Sequence, residues 1–308
     1  MRARRRSEFI RDAPWKALWE IESRICWGAK QGRQSRAAKL TVADRHGSVT
    51  DSMRLRVLGC HGGESPIHSS TCFLVDGVLA IDAGSLTSRL SLAAQSRLRA
   101  ILISHCHLDH VKDVAMLADN VVGTIDHTID IVATPRTLAL IRKHIMNDVI
   151  WPDFTRIPTR SRPVYRMVPI RPGREARVAG YRVRAVRVSH PVESTAFVLR
   201  SASGRGGALA FSSDTGPTDA LWRELAATRD LRALLLEVSF PNRLQSLADH
   251  VGHLTPRTVA GEIAKLASDV PVFLYHMKPP HEAALRREIA RLKRGRVRML
   301  RRGETIII

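Results

Sequence analysis

Residues 103–110 read ISHCHLDH and follow an apolar run that predicts a buried strand. Two histidines at positions i and i+2 of an extended segment point to the same side, so His105 and His107 can bind one metal ion. The next turn of the chain brings Asp109 and His110 round toward a second ion. Imidazole and carboxylate groups suit Zn²⁺, Fe or Mn²⁺. The stretch therefore predicts a metal centre at the end of a strand.

Three further strand ends carry the same kinds of side chain. His190, Asp214 and His276 each come directly after a run that predicts a strand. A single His or Asp in such a place is more often a cap or a turn former, but together with the first stretch they form a set. The seven candidate ligands are His105, His107, Asp109, His110, His190, Asp214 and His276. Seven ligands are enough for two ions that share Asp214.

From Met53 onward, short strand-like runs alternate with helical patterns, which is typical of one α/β domain. The predicted strands are Val78–Ile81, Ala100–Ile103, Ile129–Ala133, Tyr181–Val188, Ala208–Phe211, Ala233–Leu236 and Val272–Tyr275. The predicted helices are Arg89–Arg97, His110–Ala118, Thr137–Ile145, Thr218–Ala227, Arg257–Ala267 and Glu282–Leu292. Ser201–Gly207 predicts a hairpin turn.

The first 52 residues differ in character from the rest. They hold 12 Lys and Arg against 6 Asp and Glu, and three of the five tryptophans. Only the stretch Trp15–Cys26 has a weak helical pattern, and no apolar segment fits a secretory signal. We predict a basic, disordered extension over 1–52 and a single domain over 53–308, and we leave open whether translation begins at Met53.

The composition is that of an ordinary globular chain, with 44% hydrophobic and 25% charged residues. No apolar run approaches the roughly 18 residues of a transmembrane helix, so no membrane association is expected. The four cysteines have no regular spacing, which favours a reducing compartment and a cytoplasmic location. The net charge of +20 favours anionic partners, but 41 of the 49 basic residues are Arg, so codon bias is the alternative explanation.

The order His-x-His-x-Asp-His, followed by a strand-end His, Asp and His, resembles that of the metallo-β-lactamase fold hydrolases. The resemblance covers residues 54 to about 300 and implies a four-layered αββα sandwich with metals along one edge of the paired sheets. Within that superfamily the chain is most similar to the class II 3′,5′-cyclic-nucleotide phosphodiesterases. The local matches are Gly59–Gly63, His107–His110, His144–Phe154, Ser213–Gly216, Glu237–Asn242, Gly252–Thr255 and Tyr275–Pro279. One departure is Lys112–Val114, where that family has a small residue and an apolar pair.

The resemblance implies two divalent ions, Zn²⁺ first and Mn²⁺ or Fe as alternatives. It assigns His105, His107 and His190 to one ion, Asp109, His110 and His276 to the other, and Asp214 to both. Asp109 counts among the catalytic residues as well. A water between the ions would lose its proton and attack the phosphodiester as a bridging hydroxide. Asp82 would orient a ligand histidine, the alternative being a plain cap at its strand exit.

The other implied roles concern the leaving group and the phosphate. His253 is the candidate general acid, and its alternative is a simple helix-start residue. Thr255 is expected to bind a phosphate or to orient His253, and Lys278 either meets a phosphate oxygen or is a solvated surface lysine. Cys106 is expected to point into the core.

The insertion around residues 119–170 is where we expect recognition of the nucleotide. His144 and Asn147 are predicted to bind substrate, with Trp151 and Phe154 beside them. The open alternative is that the two aromatic residues pack the insertion onto the sheet.

The leading functional hypothesis is hydrolysis of the 3′,5′-cyclic phosphate of cAMP or cGMP, with a small nucleotide as the partner. The second is a tRNA 3′-processing endonuclease of the RNase Z kind, which the positive charge favours and for which RNA would be the partner. The separate basic, glycine-rich arm that such nucleases carry is not recognisable in this sequence. The third is a metal-binding scaffold without catalysis, and a homodimer is left open.

Overall fold

The computed structural model describes residues 52–203, 206–266, 269–292 and 295–308. The predicted extension, apart from Ser52, lies outside the described residues, as does its helical stretch Trp15–Cys26. All elements named below belong to one unit, Thr50–Ile308. Within the described ranges, no helix has both the length and the apolar character that crossing a bilayer requires.

The strands of the described residues are β1 (Arg54–Gly59), β2 (Cys72–Val75), β3 (Leu79–Ile81), β4 (Ala100–Leu102), β5 (Ile129–Ala133), β6 (Pro158–Thr159), β7 (Arg162–Pro163), β8 (Tyr165–Pro169), β9 (Glu175–Val178), β10 (Tyr181–Val188), β11 (Ser194–Ser201), β12 (Ala208–Phe211), β13 (Leu231–Glu237), β14 (Val272–Tyr275), β15 (Val297–Met299) and β16 (Thr305–Ile307). The helices are α1 (Leu86–Arg89), α2 (Leu92–Gln95), α3 (Leu108–Val111), α4 (Asp113–Val121), α5 (Pro135–His144), α6 (Ala220–Ala227), α7 (Gln245–Val251), α8 (Pro256–Ile263) and α9 (Glu282–Ala290).

Two seven-stranded sheets form the centre of the molecule. The first has the strand order β16-β1-β2-β3-β4-β5-β8, and the second has the order β15-β14-β13-β12-β11-β10-β9. In the first sheet the pairs from β3 to β8 are parallel, and in the second sheet the pairs from β12 to β15 are parallel. The remaining pairs in each sheet are antiparallel, so both sheets are mixed.

The two sheets face each other across a shared apolar core. Phe73 of β2 packs edge-on against Phe211 of β12 and Tyr275 of β14, with ring centroids 5.8 and 5.4 Å apart. Phe211 and Tyr275 stack at 5.2 Å. Pairs in these arrangements contribute about 0.5–1.5 kcal/mol each beyond their buried area. These aromatic contacts join the two sheets.

Helices cover the outer face of each sheet. On the first sheet, α4 and α5 bury Leu117 and Ile141 against strand residues. On the second sheet, α6, α8 and α9 bury Leu225, Ile263 and Leu285. The order of layers is therefore helix, sheet, sheet, helix, and the predicted αββα sandwich is confirmed.

Several predicted element bounds were wrong. The predicted helix Arg89–Arg97 consists of two single-turn helices, α1 and α2. They are separate because Leu90 is extended and the Ser91 side chain accepts a hydrogen bond from the Ala94 amide, which starts a new helix.

Cys106 is only half-buried rather than in the core, because the chain has already left β4 at that point.

Candidate metal centre

Five of the seven predicted ligands stand in loops that follow strands β4, β10, β12 and β14, and the other two, Asp109 and His110, lie in the short helix α3 that follows the β4 loop. Because β12 and β14 both lie in the parallel part of their sheet, their carboxyl ends meet at one edge. Ser213 and His276 have φ angles of 58° and 70°. This left-handed backbone costs a non-glycine residue roughly 1–3 kcal/mol and is retained where the surroundings fix it. The strained backbone therefore lies at Ser213, next to Asp214, and at the candidate ligand His276.

One group of three histidines forms on the β4 and β10 loops. His105 Nε2 lies 3.1 Å from His107 Nδ1, and His107 Nδ1 lies 3.3 Å from His190 Nε2. One nitrogen of each ring falls within 4.8 Å of the others, so the three can hold a single ion. The structure thus brings together the three residues assigned to the first ion.

A second group lies beside the first. Asp109 Oδ2 is 3.9 Å from His110 Nε2 and 3.7 Å from His276 Nε2, and the three ligand atoms also fit within 4.8 Å. These are the residues that the resemblance assigned to the second ion. Gly62 allows this packing, because a Cβ at that position would lie 2.6 Å from His276 Nε2.

Asp214 stands between the two groups. Its Oδ2 atom is 3.1 Å from His276 Nε2, 3.3 Å from His110 Nε2 and 3.7 Å from His105 Nε2. Burial alone would raise the pKa of this carboxyl, but the surrounding histidines outweigh burial and hold the pKa well below its usual value. Asp214 is therefore an ionised carboxylate within reach of ligands from both groups.

Two buried polar atoms of the centre lack hydrogen-bond partners among the described residues. They are His110 Nε2 and Asp214 Oδ1, and His110 Nε2 faces Asp214 without the alignment of a hydrogen bond. A buried polar atom without a partner costs about 1–3 kcal/mol, which a bound cation would relieve. Burial also lowers the pKa of His105 and of His276 well below the usual value, which keeps both rings in the neutral form that binds metal. The donor set fits divalent metal.

Three of the ligand rings, those of His105, His110 and His276, are held through the nitrogen that does not face the centre. The Asp82 carboxylate is fully buried, and its Oδ2 atom lies 2.7 Å from His110 Nδ1. Oδ2 also accepts a hydrogen bond from the Ser104 hydroxyl, and Oδ1 accepts one from the Ser104 amide. The Ser104 hydroxyl is 3.0 Å from His105 Nδ1, and Thr71 Oγ1 is 3.0 Å from His276 Nδ1. Such partners fix the tautomer and orientation of metal-binding histidines. Asp82 thus contacts a ligand histidine, and its role in orienting that ring on a metal stays a prediction.

His253 stands beside the cluster with its own partner. Its ring centroid is 5.1 Å from that of His190, and its Nδ1 donates to Glu237 Oε1 at 2.7 Å. Burial alone would lower the pKa of His253, but the Glu237 carboxylate outweighs burial and raises it. The sequence did not assign a role to Glu237. The available signal was a carboxylate at the end of β13, between the strands that carry Asp214 and His276.

Thr255 begins helix α8 rather than facing His253. Its side chain accepts a hydrogen bond from the Thr258 amide and donates to Gln245 Oε1 at 2.6 Å. The expected role in orienting His253 therefore falls to Glu237. A contact between Thr255 and a phosphate stays a prediction.

Lys278 reaches the second group. Its ammonium is 3.3 Å from His276 Nε2 and 3.8 Å from Asp109 Oδ2. The half-buried side chain is held at the centre rather than being fully solvated.

The insertion packs its aromatic residues inward. Phe154 is buried in the core of the first sheet, and Trp151 packs against that core. The Asn147 side chain accepts from the amides of Val149 and Ile150 and donates to the Lys143 carbonyl, which closes a turn. His144 is the exposed last residue of α5. Substrate binding by His144 and Asn147 stays a prediction.

Comparison with known proteins identifies the family of the chain. Residues 71–277 match the family model described as the beta-lactamase superfamily domain. A probable 3′,5′-cyclic-nucleotide phosphodiesterase from Yersinia pestis is 29% identical over 223 residues, which are 64% of this chain and 62% of that protein. The chain thus spans less than two thirds of the length of this relative.

Solved structures share the fold. The crystal structure of unliganded yeast PDE1 has a TM-score of 0.70 at 18% identity and covers 83% of this chain and 99% of its own. The short form of human tRNase Z has a TM-score of 0.60 at 16% identity, over 82% of this chain and 98% of its own. The resemblance to the metallo-β-lactamase fold, and within it to the cyclic-nucleotide phosphodiesterases, is confirmed.

Proposed function

This chain belongs to the beta-lactamase superfamily, and from that premise we propose that it is a metal-dependent phosphodiesterase that opens the 3′,5′-cyclic phosphate of a nucleotide such as cAMP or cGMP. The observation that carries the proposal is Asp214 between two groups of ligands, with the pair His253 and Glu237 beside them. The relative named as a cyclic-nucleotide phosphodiesterase supports the choice of substrate.

The proposed metal ligands are the seven predicted residues, and Zn²⁺ is the first choice for both ions because imidazole dominates the set. When bound, two divalent ions lower the pKa of a water molecule and neutralise the oxygens of the phosphoryl group. Among the protein's own residues, Asp82 and Thr71 hold the rings of His110 and His276 in place. The orientation of these rings is therefore set in advance.

Hydrolysis of the cyclic phosphate forms a bond from water oxygen to phosphorus and breaks the bond from phosphorus to the 3′ oxygen of the ribose. The departing alkoxide needs a proton, and we assign its donation to His253. The Nδ1–H of His253 donates a hydrogen bond to Glu237, and the Glu237 carboxylate raises the pKa of His253, which favours the imidazolium form that carries a transferable proton on Nε2. A positioned general acid contributes about 10²–10⁴-fold to the rate.

Lys278 supplies the positive charge for a phosphate oxygen. Its ammonium already stands 3.8 Å from Asp109 Oδ2, at the edge of the ligand cluster. A lysine acts on phosphate as a compact charge with three hydrogen-bond donors. We assign it to binding the substrate phosphate rather than to proton transfer.

The second candidate is processing of the 3′ end of precursor tRNA. The fold that the chain shares with human tRNase Z and its net charge of +20 favour this candidate. Basic side chains contribute to RNA binding whatever the sequence of the RNA.

A substrate panel separates the two candidates. The full chain, loaded with Zn²⁺ or Mn²⁺, is assayed on cAMP, cGMP, bis(p-nitrophenyl) phosphate and a precursor tRNA. We expect hydrolysis of a cyclic nucleotide and of the aryl ester, with the tRNA left intact. Cleavage of the tRNA together with intact cyclic nucleotides would overturn the first candidate in favour of the second. The matched control is Asp214→Ala, which removes the shared carboxylate and should be inactive on every substrate.

A further inference from the structure

A second cluster of histidine and carboxylate side chains lies outside the seven-ligand centre. His61 and His68 stand in the loop between β1 and β2, and Glu282 is the first residue of α9. One ligand atom from each of the three falls within 4.8 Å of the others. The three side chains are 8%, 13% and 23% exposed, so the cluster is largely shielded from solvent.

The two rings of this cluster repeat the geometry of a pair in the main centre. The ring centroids of His61 and His68 are 4.7 Å apart with an interplanar angle of 79°. Those of His105 and His107 are also 4.7 Å apart, at 78°. The main-centre pair belongs to a triad with His190, and the His61 and His68 rings, at the same separation and tilt, belong to a triad with Glu282.

The Glu282 carboxylate is the third candidate ligand of this cluster. Glu282 Oε2 is 3.0 Å from His68 Nε2 and 4.0 Å from His61 Nε2. The other oxygen, Oε1, is engaged by Arg286 at 2.5 Å. Arg286 therefore fixes the orientation of the carboxylate and leaves Oε2 directed at the two rings.

The two rings also have partners behind them. Ser65 Oγ lies 2.6 Å from His68 Nδ1, as the Ser104 hydroxyl lies behind His105 in the main centre. Cys60 Sγ is 3.9 Å from His61 Nδ1. The Ser69 amide also points at His61 Nδ1, at 3.4 Å. Only at His68 is the partner on the far nitrogen a hydroxyl that can accept its N–H, which is the usual feature of a histidine that binds metal through its near nitrogen.

We propose that His61, His68 and Glu282 bind one further divalent cation of the Zn²⁺ class, in addition to the ions of the main centre. Two imidazoles and one carboxylate are a ligand set that Zn²⁺ accepts, with water in the fourth position. The ion joins the β1–β2 loop to the start of α9.

The alternative to this proposal is a simple hydrogen bond, in which His68 Nε2–H donates to Glu282 Oε2 and no ion is bound. The two differ in the number of ions per chain. The full chain is equilibrated with Zn²⁺, freed of loose metal by gel filtration and analysed for bound zinc by mass spectrometry. The variants are His68→Gln and Glu282→Gln, and the control is His250→Gln, which changes an exposed histidine of α7.

We expect each of the two variants to hold about one ion fewer per chain than the control. The ions of the main centre should remain, so both variants should keep the activity that the control has on a phosphodiester substrate. Glu282→Gln preserves the size of the side chain, and it reports on the ion even where His68→Gln fails to fold. Equal zinc content in Glu282→Gln and the control would overturn the proposal. If the main centre did not bind metal, the result would be different, because the zinc content of the control would then be low as well.

Discussion

Asp214 contributes a single ionised carboxylate to a site lined by histidines. Its Oδ2 atom is 3.1 Å from His276 Nε2 and 3.7 Å from His105 Nε2, which belong to the two different ligand groups. Its Oδ1 atom has no partner among the described residues. A residue in this position affects both groups at once, unlike a ligand that belongs to one group alone.

Replacing Asp214 by Ala should therefore lower the binding of both ions and abolish phosphodiesterase activity. The physical reason is the loss of a buried negative charge that offsets the mutual repulsion of two cations. The measurement is zinc content per chain together with turnover of bis(p-nitrophenyl) phosphate. A variant that retained two tightly bound ions would show that Asp214 is not shared.

His253 and Glu237 form a buried pair that stands beside the ligands. Replacing His253 by Ala should leave the metal content unchanged and lower the turnover of a cyclic nucleotide by about 10²–10⁴-fold, the usual contribution of a general acid. Glu237→Gln should lower turnover less, because a neutral amide still orients the ring but no longer raises its pKa. The readouts are zinc content and kcat.

The pH profile distinguishes this role from a structural one. Glu237 raises the pKa of His253, so the protonated ring persists to higher pH in the native protein than in Glu237→Gln. The basic limb of the kcat profile should therefore move to lower pH in that variant. An unmoved limb, or loss of zinc from His253→Ala, would contradict the assignment of His253 as the acid.

At the scale of elements, the candidate ligands could be proposed from sequence because most of them closely follow a strand end, whereas Asp109 and His110 lie further on, in α3. Apart from Asp82, which the family resemblance pointed to, the supporting partners could not be assigned from sequence, because their contacts are long-range. Thr71 meets His276 across 205 positions and Glu237 meets His253 across 16. Helix bounds were misjudged where one side chain decides them, as Ser91 does between α1 and α2. The local sequence pattern therefore indicates where a functional side chain lies along the chain, but its hydrogen-bond partner is known only from the tertiary structure.

The insertion that carries α5 offers a prediction at the same scale. Its aromatic residues Trp151 and Phe154 pack toward the first sheet, and Asn147 closes a turn. If the insertion also recognises the nucleotide, Ala at His144 or Asn147 should raise KM for the cyclic nucleotide. Activity on the aryl ester should barely change, because that substrate has no base to recognise. The measurement is KM and kcat on both substrates.

Lys143→Ala is the matched control, because Lys143 is an exposed neighbour of His144. Its backbone carbonyl accepts a hydrogen bond from the Asn147 side chain, and the substitution keeps that carbonyl. An equal loss on both substrates in the His144 or Asn147 variants would mean that the segment is structural. Recognition of the base would then have to come from elsewhere, and the tRNA-processing candidate would gain support.

At the scale of the whole molecule, the ends of the described chain meet in the first sheet. Strand β1 pairs with β16, and the Met53 amide donates to the Ile308 carbonyl at 2.8 Å. Met53 and Leu55 are buried in the core between the sheets. Closure of this sheet edge therefore depends on residues from Met53 onward, and the preceding sequence has no apolar periodicity with which to add to it.

A chain that begins at Met53 should accordingly fold and hydrolyse substrate as the full chain does. Ordering the first 52 residues would cost roughly 1–2 kcal/mol of backbone entropy per residue, which their composition offers little apolar burial to offset. For the full chain and the chain that begins at Met53, we expect equal kcat and thermal midpoints within about 2 °C of each other. A chain that begins at Val57 lacks the buried side chains of Met53 and Leu55, so its free energy of unfolding should fall by roughly 1.5–3 kcal/mol for each of them. Thermal unfolding of the three chains measures this. Loss of solubility or activity in the Met53 chain would show that the extension packs on the domain, since the β1–β16 pairing is complete in that chain.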